Sequence, residues 1–270
     1  MSYKTDYHIH SFFSPDSQAK PDDSIKRAEE LGLNEIIFTE HCDCSYEHAL
    51  PPEEEKWPLL DVNGYTKYIE DVRKKFNIKV GIGIELGQAV QDPMFADKMI
   101  KAYPWDMVIG SYHNLKGEYD FCFMKYKDMD LPKLMKRYFQ EQYLLVEDNR
   151  FDVLGHLYYF VRYIYRQGLS VELSPFKGIV SDIFKLLVKN GRGIEINTSC
   201  IGDKYNDLIP NFEFIKLYKQ CGGEIITIGS DSHTPDRIGF GQELAVTAIK
   251  EAGFKAITTF EKRKPSFKDI

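Results

Sequence analysis

Two histidines separated by one residue lie near the start of the chain, in the stretch YHIHSFFSPDS at residues 7–17. The same stretch carries an acidic residue, Asp16. Because side chains at positions i and i+2 of a β-strand point to the same side, His8 and His10 can both face one ion. Imidazole nitrogens and carboxylate oxygens without thiolates are typical ligands of Zn²⁺, Mn²⁺ or Fe²⁺. This stretch therefore predicts a divalent metal site.

Most of the other histidines end short apolar segments that read as strands. The chain has seven histidines, and six of them lie at the ends of five predicted strands. Acidic residues lie at the same ends, and Glu85 is our candidate for a carboxylate that bridges two ions. The predicted ligands are His8, His10, Asp16, His41, Glu85, His113, His156, Asp231 and His233. These exceed the four ligands of one tetrahedral ion, so we expect two or three divalent ions.

Other polar residues near these ligands are predicted to have different roles. Glu47 and His48 lie within a loop and are expected to be ordinary loop residues. Glu40 precedes His41 in a predicted strand, so it should point away from the ligands and serve the structure. The sequence CDC at residues 42–44 has a spacing that is poor for metal binding. We expect its cysteines to be free thiols.

Strands and helices alternate along the chain in an order that would bring the predicted ligands together. The predicted strands are 3–10, 35–41, 79–86, 107–113, 152–156, 193–199 and 224–233, and residues 256–260 form a short eighth strand or a packed tail. The predicted helices are 21–31, 63–76, 93–102, 130–149, 178–189, 211–221 and 241–252. Apolar strands that alternate with helices indicate a parallel sheet covered on both faces. Seven or eight such units favour a closed barrel with its helices outside, in which strand ends share one rim.

Length and composition favour one α/β barrel domain over residues 1–270. Hydrophobic residues make up 43% and charged residues 28%, as is ordinary for a globular protein. Two insertions, at about 42–61 and 115–129, follow strands and should lie on the rim that carries the ligands. With neither an apolar leader nor an 18-residue apolar segment in the sequence, we expect a cytoplasmic protein without membrane spans.

The net charge and the absence of certain motifs limit the classes of ligand that this protein is expected to bind. The net charge of −6 disfavours binding to a nucleic-acid backbone. Neither a GxGxxG motif nor a P-loop follows a predicted strand, which excludes the usual dinucleotide and nucleoside triphosphate sites. We therefore expect a small-molecule substrate.

Several motifs together resemble those of the polymerase-and-histidinol-phosphatase (PHP) superfamily. The opening HxH resembles its first motif, and TEHCD, GIELG, GSYHNLKG, GHLYYF, EINTS and GSDSH follow in the family's order over nearly the whole chain. Within the superfamily, the chain looks most like the stand-alone histidinol-phosphatases. The resemblance implies a distorted (β/α)7 TIM-like barrel with a trinuclear metal site.

The resemblance also implies how the ligands are shared among the ions. The first ion would have His8, His10, Glu85 and Asp231 as its ligands. The second would share Glu85 and add His113 and His156. The third would have Asp16, His41 and His233. The chain departs from the family near EINTS, where an arginine is common but Lys204 is the nearest cation, and at Tyr158, where an acidic residue is common.

The activity that the resemblance implies is hydrolysis of a phosphate monoester, with L-histidinol phosphate as the expected substrate. Arg162, Arg237 and Lys204 are the predicted phosphate-binding residues, and an arginine fork suits phosphate oxygens best. Asp231 or His233 is predicted to relay a proton to the leaving alcohol in addition to its role as a ligand.

The organic part of that substrate has several candidate contacts. Glu118, Asp120 or Asp43 is predicted to bind its ammonium group. Aromatic residues at 119–126 either cover the organic part or pack against one another as a lid.

Other functions stay open at this point. One is a PHP-type phosphodiesterase or exonuclease acting on nucleotides, which would need a basic groove with stacking aromatic residues. Another is a phosphatase for a different small phosphate ester. A non-catalytic metal-binding module would be favoured by missing ligands, and a C–N hydrolase by a strand-end lysine suited to carbamylation. The sequence shows neither feature.

Overall fold

Seven parallel strands, paired in chain order, form the main sheet of this computed structural model, which describes residues 3–45, 49–54 and 56–270. The strands are β1 Thr5–Ile9, β2 Glu35–Asp43, β3 Lys79–Gly87, β4 Val108–Ser111, β5 Val153–Leu154, β6 Gly193–Asn197 and β7 Ile226–Gly229. The predicted barrel of parallel strands is confirmed. Glu47 and His48 lie outside the described residues.

Helices connect the strands. They are α1 Pro21–Glu30, α2 Val62–Val72, α3 Pro93–Lys101, α4 Leu131–Asp148, α5 Val161–Arg166, α6 Lys177–Lys189, α7 Phe212–Gln220 and α8 Gln242–Glu251. The short α5 was not predicted. Asp61 caps α2, one residue before the helix begins and two before the predicted start at residue 63, because its carboxylate accepts the Gly64 N–H at 3.0 Å. Within the described residues, no helix is long and apolar enough to cross a membrane.

The first and last strands of the barrel meet at their carboxyl ends. Ile9 and Ser232 form a parallel bridge there, and the His10 N–H donates to the Ser232 carbonyl at 2.8 Å. The buried carboxylate of Asp6 accepts the Ser230 N–H at 2.9 Å across the same gap. The barrel is thus nearly closed at the end that carries His8 and His10.

Five of the seven barrel strands, β1, β4, β5, β6 and β7, are shorter than the sequence predicts. The predicted strand at 152–156 is reduced to Val153–Leu154, and the one at 224–233 is reduced to Ile226–Gly229. In the second case Asp231 has a φ of 54°, in the left-handed region. A residue with that backbone cannot continue a strand, so the chain leaves the sheet before the last predicted ligands.

The segment at 256–260 forms the predicted short eighth strand, but this strand lies outside the barrel. It lies in β8 (Ala256–Glu261), which pairs antiparallel with β9 (Lys264–Asp269) in a separate hairpin. The Thr258 hydroxyl accepts the Ile226 N–H at 3.0 Å, at the start of β7. The hairpin therefore packs against the amino ends of the barrel strands, opposite the predicted ligands.

A buried carboxylate, Asp152, holds this hairpin to the barrel. It lies within 3.1 Å of guanidinium nitrogens of Arg263, in the hairpin turn, and within 3.0 Å of Arg192. It also accepts the Val108 N–H at 2.9 Å. Loss of its charge would leave two arginines without their common acceptor.

We expect Asp152→Asn to lower the free energy of unfolding by about 3 kcal/mol, because it breaks a buried ion pair on one side only. Urea unfolding of the variant beside the original protein measures this. Asp182→Asn is the control, since Asp182 pairs with Lys185 at 3.5 Å on the surface. Its effect should stay within about 0.5 kcal/mol. Equal effects of the two substitutions would contradict the anchoring role of Asp152.

Candidate metal centre

Glu85 lies at the centre of the barrel rim and is fully buried. Its Oε1 atom lies 3.1 Å from Nε2 of His113 and 2.9 Å from Nε2 of His156. Its Oε2 atom lies 2.9 Å from Nδ1 of His41 and 3.4 Å from Nε2 of His8. The two oxygens therefore face different imidazoles, as a carboxylate that bridges two ions requires.

β1 and the turn after β7 contribute an adjoining group. His8 is in β1, and His10 follows directly after the strand. Nε2 of His10 lies 3.6 Å from Oε2 of Glu85 and 3.4 Å from Oδ1 of Asp231. Nε2 of His8 lies 3.7 Å from the same Asp231 oxygen. The carboxylate of Asp231, whose backbone is left-handed, thus faces both His8 and His10.

A third group lies toward solvent. Oδ2 of Asp16 is 3.5 Å from Nε2 of His41 and 3.1 Å from Nε2 of His233. The side chains of His233 and Asp16 are 30% and 36% exposed, whereas Glu85 is inaccessible. The structure thus brings all nine predicted ligands together in three adjoining groups, of which this one is the outermost.

The centre contains buried polar atoms that lack a hydrogen-bond partner among the described residues. Two of them are Nε2 of His8 and Nε2 of His10, whose distances to the carboxylate oxygens of Glu85 and Asp231 are all 3.4 Å or more. Each such atom costs roughly 1–3 kcal/mol if it stays unsatisfied. These atoms face one another, and imidazole with carboxylate is a donor set for divalent ions. The residues present therefore fit a multinuclear metal centre.

The pKa shifts of the buried groups indicate where this centre favours positive charge. Although burial opposes protonation, Asp43 and Glu85 raise the pKa of His113 to about 10. Burial favours the neutral carboxyl, yet His113 and its neighbouring imidazoles hold the pKa of Glu85 well below its usual value. Burial and the adjacent imidazole of His41 lower the pKa of His10 to about 3. Positive charge is thus favoured beside the carboxylates and disfavoured among the imidazoles.

Asp43, which the sequence predicts only as an ammonium contact, lies among the predicted ligands. Its Oδ1 atom lies 2.7 Å from Nδ1 of His113. Its position two residues after His41 in β2 is the signal that could have revealed it, because both side chains point inward. A Cβ at Gly87, its register partner in β3, would overlap its carboxylate. The glycine therefore leaves space for Asp43.

Glu40 lies behind the centre, away from the inward face of His41. It is buried, and it accepts the Ser11 N–H at 3.0 Å and the Ser14 hydroxyl at 2.6 Å. The Ser14 oxygen in turn lies 3.0 Å from Nδ1 of His10 and accepts the His41 N–H at 3.0 Å. Glu40 thus fixes the turn that follows β1.

The three predicted phosphate-binding residues occupy different environments. Arg162, in α5, is 7% exposed, and its guanidinium lies 3.4 Å from Oδ2 of Asp231 and 4.8 Å from the centre of the Tyr159 ring. Arg237 donates to two backbone carbonyls of the loop after β6. Lys204 is exposed in that loop. Arg162 is therefore the cation that the structure brings to the centre.

The buried aromatic residues of the loop at 115–129 pack against the main core of the protein. Phe121 and Tyr126 are buried, and the Tyr126 hydroxyl donates to the Phe121 carbonyl at 2.7 Å. Tyr119, by contrast, is exposed. The ring centres of Phe121 and Phe160 lie 4.7 Å apart, so this part of the loop joins the main core, whereas Tyr119 is accessible.

The three acidic candidates for the ammonium group also differ. The Glu118 carboxylate pairs with Arg137 at 2.8 Å near the surface. Asp43 is held by His113, as described above. Asp120 is buried directly after Tyr119, and burial raises the pKa of its carboxyl.

A pocket of about 360 Å³ opens beside the centre. His41 and Asp43 from β2 form one side, and Trp57, Leu60 and Phe95 contribute an apolar side. The Trp57 ring centre lies 6.0 Å from that of His41. The pocket can therefore hold an organic group next to the predicted ligands.

Comparison with known structures supports this fold. The crystal structure of histidinol phosphate phosphatase from Lactococcus lactis, complexed with Zn, L-histidinol and phosphate, has a TM-score of 0.82 and 28% identity over 97% of this chain and 98% of that one. The structure of a putative histidinol phosphatase from Listeria monocytogenes has a TM-score of 0.78 at 19% identity, over 89% of this chain and 99% of that one, and shares the fold.

The sequence comparisons agree. A histidinol-phosphatase of Lactococcus lactis is 32% identical over 98% of this chain and 99% of its own length. A probable histidinol-phosphatase of Clostridium acetobutylicum is 29% identical over 96% of this chain and 97% of its own length. Residues 6–199 match the family model described as PHP domain. Because that match covers most of the chain, this protein belongs to the PHP domain family.

Proposed function

We propose that this protein is a metal-dependent phosphatase that hydrolyses L-histidinol phosphate to L-histidinol and phosphate. The observation that carries the proposal is Glu85, whose two carboxylate oxygens face separate imidazoles at the rim of the barrel. A relative that is similar over nearly its full length binds Zn, L-histidinol and phosphate. The residues that would hold two or three Zn, Mn or Fe ions are His8, His10, Asp16, His41, Glu85, His113, His156, Asp231 and His233.

Bound divalent ions supply Lewis-acid charge to phosphoryl oxygens and lower the pKa of bound water to about 7. Side chains of the protein would add a further positive charge for the phosphate group and a path for the proton that the leaving group needs. The Arg162 guanidinium, 3.4 Å from Oδ2 of Asp231 at the edge of the centre, would bind phosphoryl oxygens. Asp231 or His233 would relay to the leaving alkoxide the proton that the attacking water gives up, and the partial exposure of His233 is compatible with this role.

The pocket beside His41 would receive the organic part of the substrate. Its apolar side, with Trp57 and Phe95, suits a flat imidazole ring, and Asp43 lies at its inner end. The pocket could therefore distinguish one phosphate ester from another. The predicted metal ligands alone would not do so.

Phosphate release by metal-replete protein tests the proposal. L-Histidinol phosphate is compared with a panel of other small monoesters and with one nitrophenyl diester. We expect the highest kcat/KM for L-histidinol phosphate and little diester cleavage. Faster turnover of another monoester would overturn the substrate assignment and direct attention to the EINTSCIGDK loop. Preferential diester cleavage would favour the phosphodiesterase alternative.

Substitution of Arg162 tests the phosphate contact. We expect Arg162→Ala to lower kcat/KM about 10²-fold, because a hydrogen bond to a charged group contributes roughly 1.5–3 kcal/mol. Arg162→Lys should recover part of this loss, since it keeps the charge but not the fork. Arg166→Ala, in the same helix, is the control, because Arg166 pairs with Asp203 at 2.7 Å near the surface. An Arg162→Ala variant with unchanged steady-state kinetics would contradict the assignment.

A further inference from the structure

We propose that Glu195 is a positioning residue of the metal centre: it selects the ring nitrogen that His8 presents to the ion and anchors the backbone of His156. The inference rests on the proposed metal-binding role of these two histidines. Glu195 lies in β6 and is 1% exposed. Its Oε1 atom lies 2.6 Å from Nδ1 of His8, and its Oε2 atom accepts the His156 N–H at 2.8 Å. One carboxylate therefore joins the ends of β1 and β5.

The contact with Glu195 determines the tautomer of His8. A carboxylate oxygen accepts hydrogen bonds, so Nδ1 of His8 must carry the proton that it donates. Nε2 of the neutral ring then has a free lone pair, and this nitrogen faces Glu85 at 3.4 Å and Asp231 at 3.7 Å. Metal-binding histidines commonly donate their second ring N–H to a carboxylate in this way.

The surrounding residues leave Glu195 little freedom to move. The Asn197 amide donates to Oε2 of Glu195 at 3.3 Å and lies 3.4 Å from Oδ2 of Asp231. A Cβ at Gly229, in the neighbouring strand β7, would overlap both Glu195 and the Cβ of His8. The glycine thus leaves room for a buried carboxylate whose oxygens are both in use.

Two other histidines of the centre are held in the same manner. Nδ1 of His113 contacts Asp43 at 2.7 Å, while its Nε2 faces Glu85 at 3.1 Å. Nδ1 of His10 contacts the Ser14 hydroxyl at 3.0 Å, while its Nε2 lies 3.6 Å from Glu85. In each case the outer nitrogen is fixed by the protein and the inner nitrogen faces Glu85. This recurrence supports a positioning role for Glu195.

Glutamine at position 195 discriminates this role from simple packing, because it preserves volume. If its oxygen faces His8, its amide group meets the N–H donors of His156 and Asn197. If its amide group faces His8, Nδ1 must become the acceptor and Nε2 carries the proton. The first arrangement disturbs the backbone at β5, and the second removes the lone pair directed at the ion. Either way the centre is weakened.

The experiment measures Zn²⁺ affinity of metal-free protein by competition with a chromophoric chelator, and thermal unfolding of the same samples. We expect Glu195→Gln to bind Zn²⁺ about 10- to 100-fold more weakly than the original protein. Asp152→Asn is the control, because it removes a buried carboxylate at the opposite end of the barrel. It should lower the Tm but leave Zn²⁺ affinity unchanged.

The outcomes separate the two proposals. Unchanged Zn²⁺ affinity in Glu195→Gln, or a loss no greater than that in Asp152→Asn, would overturn the positioning role alone. Absence of Zn²⁺ binding by the original protein would overturn the proposed function. Nitrogen-15 NMR of the imidazole rings in the original Zn²⁺-loaded protein provides a test that needs no variant. We expect His8 to carry its proton on Nδ1, and a proton on Nε2 would refute the inference.

Discussion

Glu85→Gln is expected to lower kcat/KM for L-histidinol phosphate by about 10³-fold, which corresponds to roughly 4 kcal/mol of transition-state stabilisation. The carboxylate is fully buried, and its two oxygens face different imidazoles. Glutamine keeps the volume but replaces one oxygen with an amide that only donates hydrogen bonds. It therefore cannot join two ions, and the inner pair of sites should lose metal together.

Steady-state phosphate release and metal content per chain measure this effect. Glu35→Gln is a matched control, because Glu35 is also buried and lies in the adjacent strand, at the opposite end of the barrel, 3.1 Å from Lys79. We expect this control to keep both kcat/KM and metal content. A Glu85→Gln variant that retains full metal content and most of its activity would show that Glu85 does not bridge ions.

The rim position of the ligands could be predicted from the sequence because it follows from a general property of parallel barrels. A histidine at the end of each strand lies on one rim, whatever its distance along the chain. His41 and Glu85 illustrate this, since they are register partners in β2 and β3. The i+2 spacing of His8 and His10 likewise depends only on local strand geometry. The position of a residue at a strand end and the alternation of side chains along a strand thus predicted which residues lie close together at the rim.

Contacts between buried side chains that are far apart in the sequence could not be predicted. Glu195 is in a strand with buried residues on both faces, so alternation does not distinguish its face from that of its neighbours. Its contact with His8 joins residues 187 positions apart. The hairpin formed by β8 and β9 escaped prediction for a similar reason. Its anchor, Asp152 with Arg263, is visible only after the chain has folded.

Removal of the metal is expected to abolish phosphate release and to lower the Tm on the order of 10 °C. An ion held at 1,000 times its dissociation constant stabilises the folded state by about 4 kcal/mol. In a protein of about this size, each 1 kcal/mol corresponds to roughly 2–4 °C. The physical source is the set of buried nitrogen and oxygen atoms around Glu85 that lack a hydrogen-bond partner among the described residues. Without an ion, these atoms must be satisfied by protons or water.

Dialysis against a strong chelator, followed by calorimetry and re-addition of Zn²⁺ or Mn²⁺, tests this expectation. The loss should be reversible, because the barrel core and the hairpin do not depend on the centre. Asp152→Asn, which weakens the opposite end, should show the same Tm decrease on chelation as the original protein. Independent effects of this kind are expected for sites without shared partners. Chelated protein that keeps its Tm and its phosphatase activity would contradict a metal centre at Glu85, because the unsatisfied imidazoles would then need another explanation.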